Sequence, residues 1–105
     1  MNYQRLLIVG NVTRDAERKT SREGEVVYTT FSVAVNERQE QVTFFPVVLF
    51  GQLGEVLTQY ITKGRQILVE GRVNISEKGY FNVIADRIEL GALPNANGNE
   101  GTEDN

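Results

Sequence analysis

Apolar and polar positions alternate with a period of two along most of this chain, and one stretch breaks the rhythm. From Val42 to Phe50 the residues divide into two apolar sets. Val42, Phe44, Pro46, Val48 and Phe50 fall on one strand face; Phe45, Val47 and Leu49 fall on the other. A strand apolar on both sides is buried on one and covered by something else on the other. Gly51 ends the alternation. Leu53, Val56, Leu57, Tyr60 and Ile61 then recur at helical spacing and predict one apolar stripe turned to a core. Lys63 and Gly64 form a C-terminal helix signal, a cation near the negative end followed by a residue free to take positive φ. Ile67, Val69 and Val73 resume the period of two, with Gly71 inside the run as an expected bulge.

The flanking segments read the same way. Arg5 to Val12 is a first strand, apolar on both sides. Thr13 to Gly24, polar and charged without an apolar period, is expected to be a connection. Val26 to Asn36 is a second strand, with Val27, Phe31, Val33 and Val35 inward and Tyr28, Thr30, Ser32 and Asn36 outward. Glu37 to Gln41 is a hairpin loop, Ser76 to Gly79 a turn, and Tyr80 to Leu90 the last strand. The order β-β-β-α-β-β predicts an all-β fold with one helix. It matches a five-stranded OB-fold Greek-key barrel with the helix between strands three and four. An SH3-like barrel has no helix there, and an open α+β sheet leaves two apolar strand faces bare.

Composition narrows the chemistry. At 105 residues the chain holds one domain at most. It has neither cysteine nor histidine, which removes thiol nucleophiles, thiolate metal sites and the commonest general base. Leu6 to Val9, the longest apolar run near the N-terminus, is too short for a signal or a membrane span, so a cytoplasmic protein without membrane contact is expected. The net charge of −3 hides an asymmetry. Residues 1–91 carry eleven bases and eleven acids, whereas 92–105 add Glu100, Glu103 and Asp104 and no base. The expected division is a neutral folded domain over 1–91 and a disordered acidic tail over 92–105.

Phe44 and Phe50 are the leading candidates for function. They share the outward face of the middle strand, where unpaired bases could stack on them whatever their sequence. Packing against another subunit would also account for outward rings. Arg5, Arg38, Arg72 and Asn74 are candidates for phosphates along that track, with strand four taken to lie next to strand three. Arg14, Arg18, Lys19 and Arg22 alternate with acids and read as a solvated loop. The glycines are isolated, Glu37 and Glu40 lie on a loop that cannot bury them, and Ser32 and Ser76 have no partner base. No enzyme, cofactor or metal is expected. Leu68 and the outer face of strand one have no cover within the chain, so subunit contact is expected.

The segments LIVGNVTRDAE, FSVAVNER, FFPVVLFGQLGEVLTQYITKG and QILVEGRV together make the chain resemble bacterial-type single-stranded DNA-binding proteins from about Leu6 to Leu90. The resemblance implies an OB-fold that assembles as a homotetramer and protects single-stranded DNA during replication, recombination and repair. It implies that Phe44 occupies a stacking position, often Trp in the family, and that Phe50 matches its partner Phe. It also puts Arg5 and Arg72 at contact positions. Gln39 stands where some members have a stacking Trp. The loop before the last strand is cut to SEKG, so Tyr80 is the substitute for another lost platform. Phe45 and Pro46 stand where better-known members have polar residues. Replication and repair proteins usually dock on an apolar tip after the acidic tail, and here the chain ends at Glu103, Asp104 and Asn105 without one. The alternative function is an OB-fold primosomal accessory or protein-interaction module with weak nucleic-acid binding.

Overall fold

The structure is a computed structural model that describes residues 1–38 and 40–94. The disorder expected for the tail falls, from 95 on, outside the described residues. Among the described residues six strands form: β1 (Leu6–Val12), β2 (Glu17–Thr20), β3 (Val27–Asn36), β4 (Val42–Phe50), β5 (Gln66–Ile75) and β6 (Phe81–Leu90). A short helix α1 (Gln52–Leu57) and a 3-10 turn (Thr58–Tyr60) lie between β4 and β5. The long strands run in the order β1-β5-β6-β4-β3, and β3 returns to β1 through Asn11–Ala34 and Val12–Val33. That closes the five-stranded OB-fold barrel with its helix in the expected interval. Among the described residues no helix is long and apolar enough to cross a membrane.

The inward residues of alternating strands fill the barrel. Val33, Val47, Leu49, Ile67, Val69 and Val83 are all essentially inaccessible to solvent. Phe45 faces inward at one end, where its ring meets Phe81 edge-on at 5.9 Å. Gly71 sits at a bulge in the barrel wall. The β5–β6 register slips between Glu70 and Gly71, because β6 carries the extra residue, Asp86, between the partners Ala85 and Arg87. A Cβ at Gly71 would stand 2.0 Å from the Ile84 carbonyl oxygen, so the two backbones approach this closely only with glycine there.

Four expectations are corrected. First, the polar connection contains β2, paired with β3 from Glu17–Thr30 to Thr20–Val27. It lies along the same edge of β3 as β1, and a short strand whose one half-buried side chain is the polar Arg18 shows no apolar period. Second, Thr29 rather than Val27 is buried on β3. The two share one face, but Val27 stands at the exposed end of the strand, and the Thr29 hydroxyl is satisfied by Arg18 Nη1 at 3.0 Å and Thr58 Oγ1 at 2.7 Å.

Third, the helix turns a different face inward. Gly54 and Ile61 are buried and Leu57 is half-buried, while Leu53, Val56 and Tyr60 are exposed. The helix backbone lies directly on the Thr29 network: a Cβ at Gly54 would meet Thr29 Oγ1 at 2.8 Å and Arg18 Nη1 at 2.9 Å. Helical structure also stops at Tyr60, so Lys63 and Gly64 form a separate turn, tied to Asp15 and Val12. Fourth, β5 does not adjoin β4. The sheet is no simple meander, because β6 inserts between them, parallel to β4 and antiparallel to β5.

Candidate nucleic-acid interface

The outer face of β4 carries both candidate rings. Phe44 is 59% exposed and Phe50 is 46% exposed. Six residues of strand separate them by about 20 Å. Cross-strand neighbours set the surroundings of each. Phe44 lies opposite Ala34, which in turn lies opposite Asn11 on β1, so small neighbours leave its ring faces open. Phe50 lies opposite Tyr28, with ring centroids 5.9 Å apart and planes tilted by 49°. Between the rings the floor is Val48, flanked by Thr30 on β3 and Ile84 on β6.

The β5–β6 hairpin supplies the other wall. Arg72 pairs with Ile84 and Asn74 with Asn82, all on the outer face. Arg72 thus sits two strands from β4, roughly 10 Å across the sheet. Its Nη1 contacts Asp86 Oδ1 at 3.2 Å, and both side chains are more than half exposed. Such a pair is worth about 0–1 kcal/mol, so a phosphate can compete for the guanidinium. Tyr80, 70% exposed, immediately precedes β6, the strand beside β4. The turn that holds it is tied by Tyr80 N–H donating to Ser76 Oγ at 3.1 Å. Asn82 Oδ1 is a buried acceptor with no partner among the described residues, beside this wall.

Two candidates sit apart. Arg38 is exposed in the β3–β4 loop beyond Phe44, and Gln39 lies outside the described residues. Arg5 precedes β1 and ion-pairs with Glu70 on β5, a carboxylate it shares with Arg87. Glu70 is only 12% exposed in its side chain, so Arg5 is turned to the β1–β5 face rather than to the aromatic track.

Lys19 and the pairing of Tyr28 have no signal in the apolar pattern. Lys19 reads as part of a solvated loop, but β2 sets it directly opposite Tyr28. The hairpin could have revealed the second ring. Its loop pairs Asn36 with Val42, and counting back along both strands brings Tyr28 opposite Phe50.

Comparison with known proteins places this chain in a family. Residues 3–80 match the model of the single-strand binding protein family. The single-stranded DNA-binding protein of Treponema pallidum is 38% identical over 94 residues, which cover 83% of this chain and 53% of that protein. That of Helicobacter hepaticus is 38% identical over 81 residues, covering 70% of this chain and 47% of the relative. The chain therefore spans about half the length of the curated relatives it matches. A crystal structure of a mitochondrial single-stranded DNA binding protein from S. cerevisiae superposes with a TM-score of 0.75 at 23% identity, over 86% of this chain and 95% of that one, and shows the same fold. With the match covering most of the barrel, the chain belongs to the single-strand binding protein family.

Proposed function

We propose that this domain binds and protects single-stranded DNA, tolerant of sequence and without turnover, during replication, recombination and repair. The observation that carries the reading is a pair of exposed rings, Phe44 and Phe50, at opposite ends of one open strand face. A folded domain gains nothing for its own core from rings placed there, whereas each stacked base contributes roughly 1–3 kcal/mol. Tyr80 widens the platform at the Phe44 end. Arg38, Arg72 and Lys19 neutralise phosphates on either side, and Asn74 offers polar contacts between them. Arg5 contributes only after release from Glu70.

Oligo-dT affinity tests this directly. Binding should exceed that for duplex DNA and RNA. If three cations release counterions from a single strand, the logarithm of affinity falls with that of salt at a slope of about −2, a loss of about 20-fold from 50 to 200 mM. A flat titration would remove the phosphate track.

The assembly we propose is a homotetramer working in the cytoplasm beside the nucleoid, with replication and repair proteins as further partners. Leu7 and Val9 on β1 are 58% and 47% exposed and adjoin Leu68 on β5, an apolar strip that a second copy would cover. Light scattering at micromolar concentration should give the mass of four chains; the mass of one overturns it.

A further inference from the structure

The two ends of the aromatic track are built differently, and the difference concerns where a bound strand leaves it. At Phe44 the β3 neighbour is small, Ala34, and the other ring of that end, Tyr80, stands on the β6 side instead. At Phe50 a second ring, Tyr28, lies beside it, and Lys19 follows Tyr28 across the next strand pairing. The row Phe50–Tyr28–Lys19 runs across the strands, from β4 over β3 to β2, instead of along β4. With the rings tilted by 49°, one flat base cannot lie on both. A base stacked on either ring meets the other with its edge. The pair is therefore a corner that bends a strand rather than a continuous stack.

Beyond the corner the surface stays concave. A groove floored by Thr30 and Ser32 runs between β3 and the segment leading into β2, with Arg14 and Lys19 on its wall. Of the acids of that wall one is engaged elsewhere and the other holds Lys19 only in an exposed pair, for which a phosphate can compete. Asp15 accepts the Lys63 backbone N–H at 2.9 Å, and Glu17 faces Lys19 at the long distance of 3.8 Å. Arg14 forms no ion pair among the described residues. The platform is also fixed from below, because Thr29, next to Tyr28, is buried and bonded to Arg18 and Thr58.

Resting on the function proposed above, we infer that single-stranded DNA turns at Phe50, stacks a base on Tyr28, and leaves over the β2–β3 edge with its phosphodiesters on Lys19 and Arg14. Tyr28 is then a third stacking platform, and β2 is part of the binding surface.

Titrations of the full chain with oligo-dT separate this path from the general reading. Tyr28→Ala should weaken binding about 5- to 100-fold, and Tyr28→Phe should bind as wild type does, since the ring is retained. In a Phe50→Ala background Tyr28→Ala should cost much less, because the corner acts as one unit. Lys19→Gln should reduce the salt slope by about 0.7. If Tyr28→Ala folds and binds unchanged while Phe44→Ala loses affinity, the corner is wrong and the function stands; if neither loses affinity, both fall. Ultraviolet crosslinking of oligo-dT to the wild-type protein avoids any folding defect. Adducts on the peptide containing Tyr28 support the path, and adducts confined to Phe44 and Tyr80 overturn it.

Discussion

Phe44→Ala should bind oligo-dT roughly 5- to 150-fold more weakly than the wild type while keeping its fold. The factor follows from about 1–3 kcal/mol for one stacked base, at tenfold per 1.4 kcal/mol. Binding and folding separate cleanly at this position. The ring is 59% exposed, its cross-strand neighbour Ala34 makes little contact area, and its truncation opens no cavity in the barrel. The chain has no tryptophan, so quenching of tyrosine emission during titration reports binding without a competing signal. Circular dichroism of the variant checks the fold. Wild-type affinity in a folded Phe44→Ala protein would end the assignment of this ring to a base.

The opposite pattern is expected one face away. Leu49→Ala should lower unfolding stability by about 2–5 kcal/mol, a large share of the roughly 5–15 kcal/mol typical of a domain. Leu49 is 1% exposed and lies opposite the buried Thr29, beneath the helix that closes the barrel. Its neighbours are anchored by strand pairing and by the Thr29–Thr58 hydrogen bond, so they cannot collapse into the space left behind. Urea unfolding should show a lower midpoint at an unchanged slope. A midpoint within error of the wild type would mean that the barrel interior is not packed as described. Phe44→Ala serves as the control, since one residue parity separates a ring that serves a ligand from a side chain that serves the core.

That parity explains how much could be read in advance. Alternation in VTFFPVVLF identified both the outward rings and the inward Val47 and Leu49, because side chains of a strand must take opposite faces in turn. The five long strands, the hairpin joining β3 to β4 and the position of the helix followed from local pattern and turn residues. Parity puts Val27, Thr29 and Phe31 on one face of β3, yet Thr29 is buried and Val27 exposed, because Val27 stands at the open end of the strand opposite Thr20. The helix misled as well. Gly54, whose lack of a side chain permits contact, takes an inward position beside Leu57 and Ile61, so Leu53, Val56 and Tyr60 of the apparent stripe point out.

Local pattern therefore settled which segments are strands, which way each β4 side chain points, and that two rings face outward. Long-range pairing settled the rest. The insertion of β6 between β4 and β5 and the assignment of Arg5 to Glu70 join residues distant in the chain, whereas β2 docks on β3 across a short turn and Arg72 meets Asp86 across the β5–β6 hairpin. Backbone hydrogen bonds between strands are the same whatever the side chains, so nothing local in ERKT announces a strand. A partner forty or sixty residues away leaves no periodic trace; it is chosen by the closure of the barrel as a whole.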